Sequence, residues 1–447
     1  MKSEHSFISV EEKQGRKLEM EKKKKEVKKD GKYSYIDGGI CAPIGFRAAG
    51  MHAGFKKSRK HDLALIYSET RCSAAAAYTT NKVKGATLKV TMDHLADGGA
   101  QAIIINSGYA NTLAPNGMEV ALKTCYLTGE ALGIAPKDIV VCSTGVIGQT
   151  PQIEPFVKGV PKLASLVLDP VATKDPKAEK FVGSDAAARA IMTTDTVKKE
   201  VAVSFKLGGK ECHIGGIAKG SGMINPNMAT MLAFITTDVS IASNLLRVAL
   251  KEDINHSFNQ VSIDGDTSTN DTVAILANGM AKNRHISEAD HDFKIFCEAL
   301  SMVTKYLARL LAKDGEGATK LIVCKITSAP TDQIAMRIAK TVVQSDLVKT
   351  AIFGSDANWG RILCAVGYTP GIFNTDNVDV SISSNAGTVT VCRGSFALDF
   401  DEELAKKVLD EDEITISVNL HDGMAMAEAY GCDLTYDYVR INGMYRT

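Results

Sequence analysis

The 447-residue chain carries 52 basic and 52 acidic side chains, so its formal net charge is zero. This balance excludes a protein whose whole surface binds nucleic acid or anionic membrane, since such proteins have a clear basic excess. With 45% hydrophobic residues, 37 Gly and 11 Pro, the composition is that of a globular protein long enough for two or three domains of ordinary size.

The charge is unevenly distributed, because residues 1–33 form a basic tail. The tail contains 11 Lys or Arg and seven acids, a net charge of +4, which leaves 41 basic and 45 acidic residues, a net charge of −4, in 34–447. It has too few apolar side chains to bury a core, and we predict that it is disordered. It lacks the apolar region of a signal peptide, and no run approaches the roughly 18 apolar residues of a membrane span. We therefore expect a cytoplasmic protein without nucleic-acid or membrane partners.

From about Ile36 onward, apolar runs and helical periodicity predict strands and helices in alternation. Buried strands are predicted at 102–106, 139–145, 231–238 and 271–279. The strand at 139–145 breaks into a loop at Thr144-Gly145. Amphipathic helices are predicted at 118–132, from about 240, and at 287–312, the last with apolar residues recurring every three or four positions.

The C-terminal part continues the mixture. Ile334, Ile338 and Val342 mark a helix, and a short helix is predicted at 402–409; the runs VDVSIS, TVTVC and EITISVNL are typical of strands. Strands in adjacent pairs and helices in separate blocks indicate stacked layers with mixed or antiparallel sheets. They do not indicate a doubly wound parallel sheet.

The ten cysteines and nine histidines are scattered, and no CxxC spacing occurs. Cysteines in the runs IVVCSTG and LIVCKIT are typical of small buried apolar side chains, so we expect reduced thiols. His285 and His291 are six residues apart, which is the wrong spacing for one face of a helix. The sequence gives no support for metal catalysis.

Two polar loops resemble binding motifs without matching them. GGIAKGSGM (215–223) lacks both the GxxxxGK[ST] and the GxGxxG spacing, so it does not predict a nucleotide site. SIDGDTSTND (262–271) does not fit the calcium-binding pattern, because Gly265 separates Asp264 from Asp266. We interpret it as an acid-rich loop that caps and turns. The lone Trp359 is predicted to pack at the start of a helix.

The segment KGSGMINPNMATMLAF differs from these, because an irregular loop runs straight into a buried strand at Thr230. Thr230 could simply open the strand, where β-branched residues are favoured. Alternatively, Ala229-Thr230 is a self-cleavage site, in which Thr230 Oγ attacks the preceding carbonyl and hydrolysis of the ester frees Thr230 as an N-terminal residue. Its α-amine, with a reference pKa of about 7.7–8.0, would then act as the base for its own hydroxyl.

The segment KGSGMINPNMATMLAFITTD closely resembles the self-cleavage segment of the ornithine acetyltransferase family. Further runs resemble family motifs in family order and cover essentially all of 34–447: GGICAPIGFRAAG, YTTNKVKGA, INSGYAN, CSTGVIG, IMTTDT, SIDGDTSTNDTV, GEGATKLI, DANWGRIL and YVRING. The charged tail lies outside the resemblance.

The resemblance implies a role for each matching position. Thr230 would be the nucleophile, acetylated on Oγ, and the Thr144 hydroxyl and Gly145 backbone N–H would form the oxyanion hole. The implied substrate-binding residues are Thr193, Lys219, Thr230, Glu316, Asn442 and Thr447. A carboxylate such as Glu316 suits the cationic amine of ornithine, whereas Lys219 suits a substrate carboxylate.

The implied reaction belongs to arginine biosynthesis and is a ping-pong transfer. N2-acetylornithine acetylates Thr230 and ornithine leaves, after which the amine of glutamate collects the acetyl group as N-acetylglutamate. No metal or cofactor is implied. Use of acetyl-CoA as a second donor, which would make the enzyme bifunctional, stays open, because no sequence motif for its binding is evident.

The implied fold is α/β, a layered α/β/β/α sandwich of the N-terminal-nucleophile-like autoproteolytic kind. Cleavage between Ala229 and Thr230 would divide the chain into 34–229, with the tail 1–33 attached, and 230–447. The two pieces should stay associated, and two copies of each would form a heterotetramer.

Some positions depart from the family pattern. Tyr109 stands where the family commonly has Asn, Ser355 where it commonly has Glu, and Asn225 is not the commonest residue at its position. The first two leave acceptor preference and bifunctionality open. A self-cleaving amidase or aminopeptidase, with water as the acceptor, is the alternative function, and an uncleaved binding or regulatory protein is a third.

Overall fold

The structure is a computed structural model that describes residues 32–169, 181–225 and 231–444. The predictions for residues 1–31 of the tail, for Ala229 and Thr230, and for Thr447 concern positions outside these ranges.

The N-terminal half alternates strands and helices. In chain order these are β1 (Tyr33–Ile36), a 3-10 turn (Gly39–Cys41), β2 (Phe46–Met51), β3 (Leu63–Tyr78), α1 (Ala86–His94), β4 (Gly99–Tyr109), α2 (Gly117–Leu132), β5 (Ile139–Val146), α3 (Glu154–Leu168), α4 (Ser184–Ile191), β6 (Lys199–Leu207), β7 (Lys210–Lys219) and β8 (Leu232–Thr237). Short 3-10 turns also occur at Leu95–Asp97 and Pro136–Asp138.

The C-terminal half begins with a helix and also alternates helices and strands. It contains α5 (Ser243–Asn255), a 3-10 turn (Phe258–Gln260), β9 (Val261–Ser262), β10 (Thr272–Ala277), α6 (His291–Lys313), β11 (Leu321–Ala329), α7 (Asp332–Gln344), α8 (Asp346–Phe353), α9 (Trp359–Gly367), β12 (Asp379–Ser384), β13 (Gly387–Arg393), β14 (Phe396–Ala397), α10 (Glu402–Leu409), β15 (Glu413–Asn419), β16 (Ala425–Cys432) and α11 (Tyr436–Gly443).

Within the described ranges, nine strands form the first sheet, in the order β1-β6-β7-β8-β10-β3-β4-β5, with β2 paired to β3. The pairs β8–β10 and β4–β5 are parallel, and the other pairs are antiparallel, so the sheet is mixed. β3 is long, and different parts of it pair with the strands on its two sides. Its N-terminal part pairs with β4, its C-terminal part pairs with β10, and its register to β4 shifts between Tyr67 and Cys72.

One half of this sheet is formed by β2 to β5 and the other includes β7, β8 and β10. The two halves enclose a hydrophobic core between them. Buried side chains of β2 to β5 meet those of β7, β8 and β10 in one cluster, together with α4 and the turn at Gly39–Cys41. Outside this core, α2 and α3 cover β2 to β5, and α5 and α6 cover β6, β7, β8 and β10. The layers therefore run helix, strand, strand, helix, which confirms the predicted fold class. β8 is buried along its whole length at the centre.

A second sheet lies on the far side of α6. In the part of the chain that the structure describes, its order is β14-β13-β12-β15-β11-β16-β9. Leu321 and Tyr430 of this sheet join the core that α6 shares with the first sheet. Helices α7 to α10 cover the opposite face and form a separate core. Trp359 is the first residue of α9 and packs against that core, as predicted.

The predicted strands and helices are found with small changes at their ends. The largest difference is at α6, which begins at His291 and not at 287. Asp290 accounts for the difference, because its side chain accepts a hydrogen bond from the backbone N–H of Phe293 over 3.0 Å and so caps the first turn. Within the described residues, no helix is both long and apolar enough to cross a membrane.

Candidate active site

The end of β5 presents the Thr144-Gly145 turn. The strand continues one residue further than predicted, to Val146, and runs parallel to β4. Gly145 has φ +129, and a Cβ at this position would lie 2.4 Å from the carbonyl carbon of Gly108. Glycine is therefore required here by both backbone conformation and space. The same close approach fixes the direction of the peptide that carries the Gly145 N–H.

Lys219, the last residue of β7, reaches the same place. Its side chain is buried, and its Nζ donates a hydrogen bond to Thr144 Oγ1 over 3.4 Å. A threonine hydroxyl that accepts a hydrogen bond still has its own proton to donate. Burial lowers the pKa of Lys219, and the carboxylate of Asp195 opposes this change. The contact thus joins two residues predicted separately for the oxyanion hole and for substrate binding.

The segment after α4 is attached to the segment after β7. Asp195 accepts hydrogen bonds from the backbone N–H of Thr193 over 3.0 Å and of Gly220 over 2.7 Å. The hydroxyls of Thr194 and Ser221 lie 2.7 Å apart, within hydrogen-bond distance. Thr193 is therefore held close to the Lys219 end of β7.

Glu316 and Asn442 form the opposite part of the site. The backbone N–H of Glu316 donates to the carbonyl of Ser221 over 2.7 Å, and Asn442 Nδ2 donates to Glu316 Oε2 over 2.8 Å. Glu316 is buried, whereas Asn442 lies on the exposed helix α11. A Cβ on Gly222 would lie 2.3 Å from Glu316 Oε2, so a larger residue there would displace the carboxylate. The structure brings this predicted pair together.

Asp271 is a site residue that the sequence did not single out. It is 2% exposed, and its Oδ2 has no hydrogen-bond partner among the described residues. Its neighbour Thr272 donates a backbone hydrogen bond to Met231, which directly follows Thr230 in the chain. Burial raises the pKa of Asp271 well above its usual range, and Lys219 only partly opposes this. The carboxyl group therefore stays protonated over a wider pH range than an ordinary aspartate.

Asn270 joins the loop before β10 to the end of β5. Its Nδ2 donates to the carbonyls of Ala110 over 2.5 Å and Ser143 over 2.9 Å. Its Oδ1 accepts from the hydroxyls of Thr112 and Thr269, each over 2.6 Å. This fully bonded amide helps to fix Ser143, immediately before Thr144, together with the β4–β5 pairing and the bond from the Ser143 hydroxyl to Asn106. Only its place within SIDGDTSTND signalled it in the sequence.

The acid-rich loop does cap and turn, as predicted. Asp264 accepts from the backbone N–H of Met223 over 2.5 Å and of Ile224 over 2.8 Å. Asn225, one of the departures from the family pattern, donates from Nδ2 to the carbonyl of Gly265 over 3.1 Å. These bonds attach the loop that follows Lys219 to the loop that precedes β10.

The other two departures lie in local contacts. The Tyr109 hydroxyl donates to the carbonyl of Gln152 over 3.2 Å, and the ring is buried. Ser355 Oγ accepts from Lys320 Nζ over 2.8 Å and lies 2.7 Å from a carboxylate oxygen of Asp410, to which it donates. Neither side chain bonds to a predicted site residue in the described parts of the chain.

The cysteines are unpaired, and those in the strand-like runs, Cys142 and Cys324, are buried in the way the sequence predicts. Over the described ranges, no group of three or more His, Cys, Asp or Glu side chains is arranged to hold a metal ion.

A Thr-Gly strand end and a buried lysine meet within a layered α/β/β/α fold, with a buried carboxylate on the adjoining loop, and together they form a candidate acyl-transfer site. The chain is a member of the ArgJ family, whose model matches residues 47–447. This match confirms the family and the enzyme class expected from the resemblance, an acetyltransferase of arginine biosynthesis.

Two curated relatives cover nearly the whole chain. The arginine biosynthesis bifunctional protein ArgJ of Caldanaerobacter subterraneus is 50% identical over 413 residues, which is 92% of this chain and 99% of the relative. ArgJ 1 of Clostridium acetobutylicum is 47% identical over 403 residues, 90% of this chain and 96% of the relative. A crystal structure of ArgJ from Bacillus halodurans is 47% identical and covers 48% of this chain and 99% of that chain, with a TM-score of 0.46.

The Asn270 contacts predict a large effect of Asn270→Ala on stability. The variant should lose about 1–3 kcal/mol of unfolding free energy, the cost of a buried polar group that loses its partner, because the Ser143 carbonyl loses the Asn270 donor. The Ala110 carbonyl keeps the Thr112 hydroxyl at 3.4 Å. Urea unfolding measures the change. Asn374→Ala is the control, because the side chain of this exposed asparagine accepts only from the backbone N–H of Asp376 in its own loop, and it should change stability by less than about 0.5 kcal/mol. Equal losses in the two variants would contradict the assigned role of Asn270.

Proposed function

We propose that this protein is a glutamate N-acetyltransferase that moves the acetyl group of N2-acetylornithine to glutamate through an acetyl ester on Thr230. The observation that carries the proposal is the hydrogen bond between Lys219 and Thr144, since it joins a carboxylate-binding cation to an oxyanion donor. Lys219 ends β7, which pairs with β8, and its side chain reaches Thr144 near the end of β5. Met231, immediately before β8, directly follows Thr230 in the chain. Membership of the ArgJ family supports the same reaction.

The first half-reaction forms the ester. The Thr230 hydroxyl attacks the acetyl carbonyl while the α-amine of Thr230 takes its proton. The developing oxyanion accepts hydrogen bonds from the Thr144 hydroxyl and the Gly145 N–H, each of which can contribute roughly 3–4 kcal/mol. The carbon–nitrogen bond then breaks, and the amine of ornithine leaves with the proton. In the second half-reaction, the amine of glutamate attacks the ester, and Thr230 recovers its hydroxyl.

Substrate recognition follows from charge. The Lys219 ammonium suits the α-carboxylate that donor and acceptor share, and the Glu316 carboxylate suits the side-chain amine of ornithine. The bond from Asn442 keeps Glu316 Oε2 in a fixed direction. Thr193 and Thr447 complete the proposed pocket.

A free α-amine on Thr230 requires self-cleavage after Ala229, which would leave 34–229, with the tail, and 230–447 as separate chains. The sheet supports their continued association, because β8 pairs with β7 from the first piece and with β10 from the second. β3 and β10, again one from each piece, pair along six residues. Two copies of each chain would form the heterotetramer expected from the family. The cytoplasmic location stays a prediction from the N-terminal sequence.

We propose acetyl-CoA as a second acetyl donor, because curated ArgJ relatives are named bifunctional. The alternative function, a self-cleaving amidase or aminopeptidase, would use water as the acceptor. The family match favours acetyl transfer over this alternative.

Self-cleavage predicts two fragments near half-length each from purified protein on a denaturing gel. Thr230→Ala should give one intact band and no acetyl transfer, because it removes the attacking hydroxyl of both reactions. Thr350→Ala, at an exposed threonine on α8, should cleave and react normally. A single intact band from the unaltered protein with full activity would contradict Thr230 as the nucleophile.

The oxyanion hole predicts the effect of Thr144→Val, which keeps the shape of the side chain and removes its hydroxyl. Steady-state kinetics should show kcat reduced about 10²- to 10³-fold, the effect of deleting one oxyanion donor. Thr124→Val is the matched control, since this buried hydroxyl bonds only to the carbonyl of Val120 within α2. A kcat for Thr144→Val equal to that of the control would exclude the hydroxyl from catalysis.

The dependence of the reaction on glutamate distinguishes an acetyltransferase from an amidase. Ornithine release from N-acetylornithine should increase with glutamate concentration, and N-acetylglutamate should form in equal amount. Release that is independent of glutamate would favour the amidase. Replacement of the donor by acetyl-CoA should yield N-acetylglutamate and free CoA if the enzyme is bifunctional, whereas no product would restrict it to the ornithine reaction.

A further inference from the structure

A buried group of charges lies behind the pocket and takes no part in the reaction proposed above. Lys199, fully buried at the start of β6, donates to Asp195 Oδ1 over 2.7 Å and to Asp314 Oδ2 over 2.6 Å. Burial alone would raise the pKa of Asp195, yet the Lys199 and Lys219 ammonium groups bring it well below its usual range. A buried ion of this kind is tolerated only when it is paired and hydrogen-bonded.

The two carboxylates share Lys199 but hold different parts of the chain. Asp314 accepts from the backbone N–H of Thr196 over 3.1 Å and of Val197 over 3.4 Å, and from the Thr196 hydroxyl. These bonds fix the start of β6 against the end of α6. None of them reaches a predicted substrate contact.

Asp195 instead joins two predicted substrate contacts. Its carboxylate accepts from the backbone N–H of Thr193 and from that of Gly220, the residue after Lys219. This side chain thereby connects two segments that leave the same end of the antiparallel β6–β7 pair, where Lys199 lies opposite Ala218. Loss of its hydrogen bonds would weaken this connection and leave the contact between the Thr194 and Ser221 hydroxyls.

Asp195 also supplies negative charge to the surroundings of Lys219. Burial lowers the pKa of Lys219, and Asp195 is the strongest of the groups that oppose this. The other charged or titratable groups that act on Lys219 are Lys199, Asp271, Glu316 and Lys56. Lys199 lowers the pKa of Lys219, so the two members of the Asp195–Lys199 pair act on it in opposite directions.

We propose that Asp195 is a positioning residue for acetyl transfer, which holds Thr193 and the Lys219–Gly220 turn in register and keeps Lys219 in its cationic, carboxylate-binding form. The inference rests on the proposed function, in which Lys219 binds the carboxylate of the substrate.

Asp195→Asn tests this inference through the pH profile of kcat/KM for N-acetylornithine. Without the negative charge, protonated Lys219 is less favoured, so its pKa falls and the binding form is lost at lower pH. The alkaline limb should move down by about one pH unit, the lower end of the effect of one nearby opposite charge. The KM should rise at neutral pH, with a smaller change in kcat. The ionisation of the substrate is the same for every variant and cancels in the comparison.

Asp314→Asn is the matched control, because it removes a carboxylate from the same lysine and leaves Asp195 in place. It should lower thermal stability to a similar degree while leaving the alkaline limb where it is in the unaltered enzyme. A shift of the limb equal to that of Asp195→Asn would overturn the inference, since the effect would then come from general damage to the buried charges.

Lys199→Gln provides a test of opposite sign that does not depend on the folding of the Asp195 variant. Glutamine can still bond to the two carboxylates, but the positive charge that disfavours protonated Lys219 is gone. The alkaline limb should therefore move to higher pH. Movement of the alkaline limb to lower pH in Lys199→Gln would overturn the proposed role of Asp195. So would an alkaline limb that stays in place in Lys199→Gln or in Asp195→Asn.

The outcome also separates this inference from the proposed function. If the unaltered enzyme transfers acetyl groups but its alkaline limb is unaffected by these variants, only the role of Asp195 fails. If the unaltered enzyme forms no N-acetylglutamate from N-acetylornithine and glutamate, the proposed function itself fails.

Discussion

The site depends on the pairing of β8 between β7 and β10. β8 is buried along its whole length and bonds antiparallel to β7 and parallel to β10. This pairing places Leu232 opposite both Lys219 and Thr272. The residues at these strand ends are therefore brought together by backbone hydrogen bonds, which are strong and directional, and not by loops. A reactive group at the start of β8 would be surrounded by groups whose positions the sheet has already set.

Burial of charge is the second constraint. Lys199, Lys219, Asp195 and Asp271 are all nearly inaccessible to solvent, and an unpaired ion there would be costly. Lys199 is paired with two carboxylates, those of Asp195 and Asp314. Burial raises the pKa of Asp271, which favours its uncharged form. In such surroundings each charge acts strongly on its neighbours, because little water screens it. The same condition would strengthen the Thr144 and Gly145 donors in the proposed oxyanion hole.

Much of the fold could be predicted from the sequence, because hydrophobic periodicity reports local structure. The helix at 402–409 and the strand that carries Cys142 were predicted closely. The start of α6 was wrong by four residues, since the cap at Asp290 is a single polar contact. The resemblance supplied the site residues, including Thr193 and Glu316. The roles of Asp195 and Asn270 could not be predicted, because they arise from contacts between distant segments: Asn270 and Ser143 are 127 residues apart. Hydrophobic periodicity carries no information about contacts between residues so far apart in the chain.

The central claim is that an acetyl group resides on Thr230 during the reaction. The most direct measurement is the mass of the protein after incubation with N-acetylornithine without glutamate and rapid quenching in acid. An acetyl ester on Thr230 predicts that the chain beginning at Thr230 gains the mass of one acetyl group and that peptide mapping assigns the group to Thr230. Addition of glutamate before quenching should remove it. Turnover at the full rate with no acetylated chain, or with the acetyl group on another residue, would contradict the account.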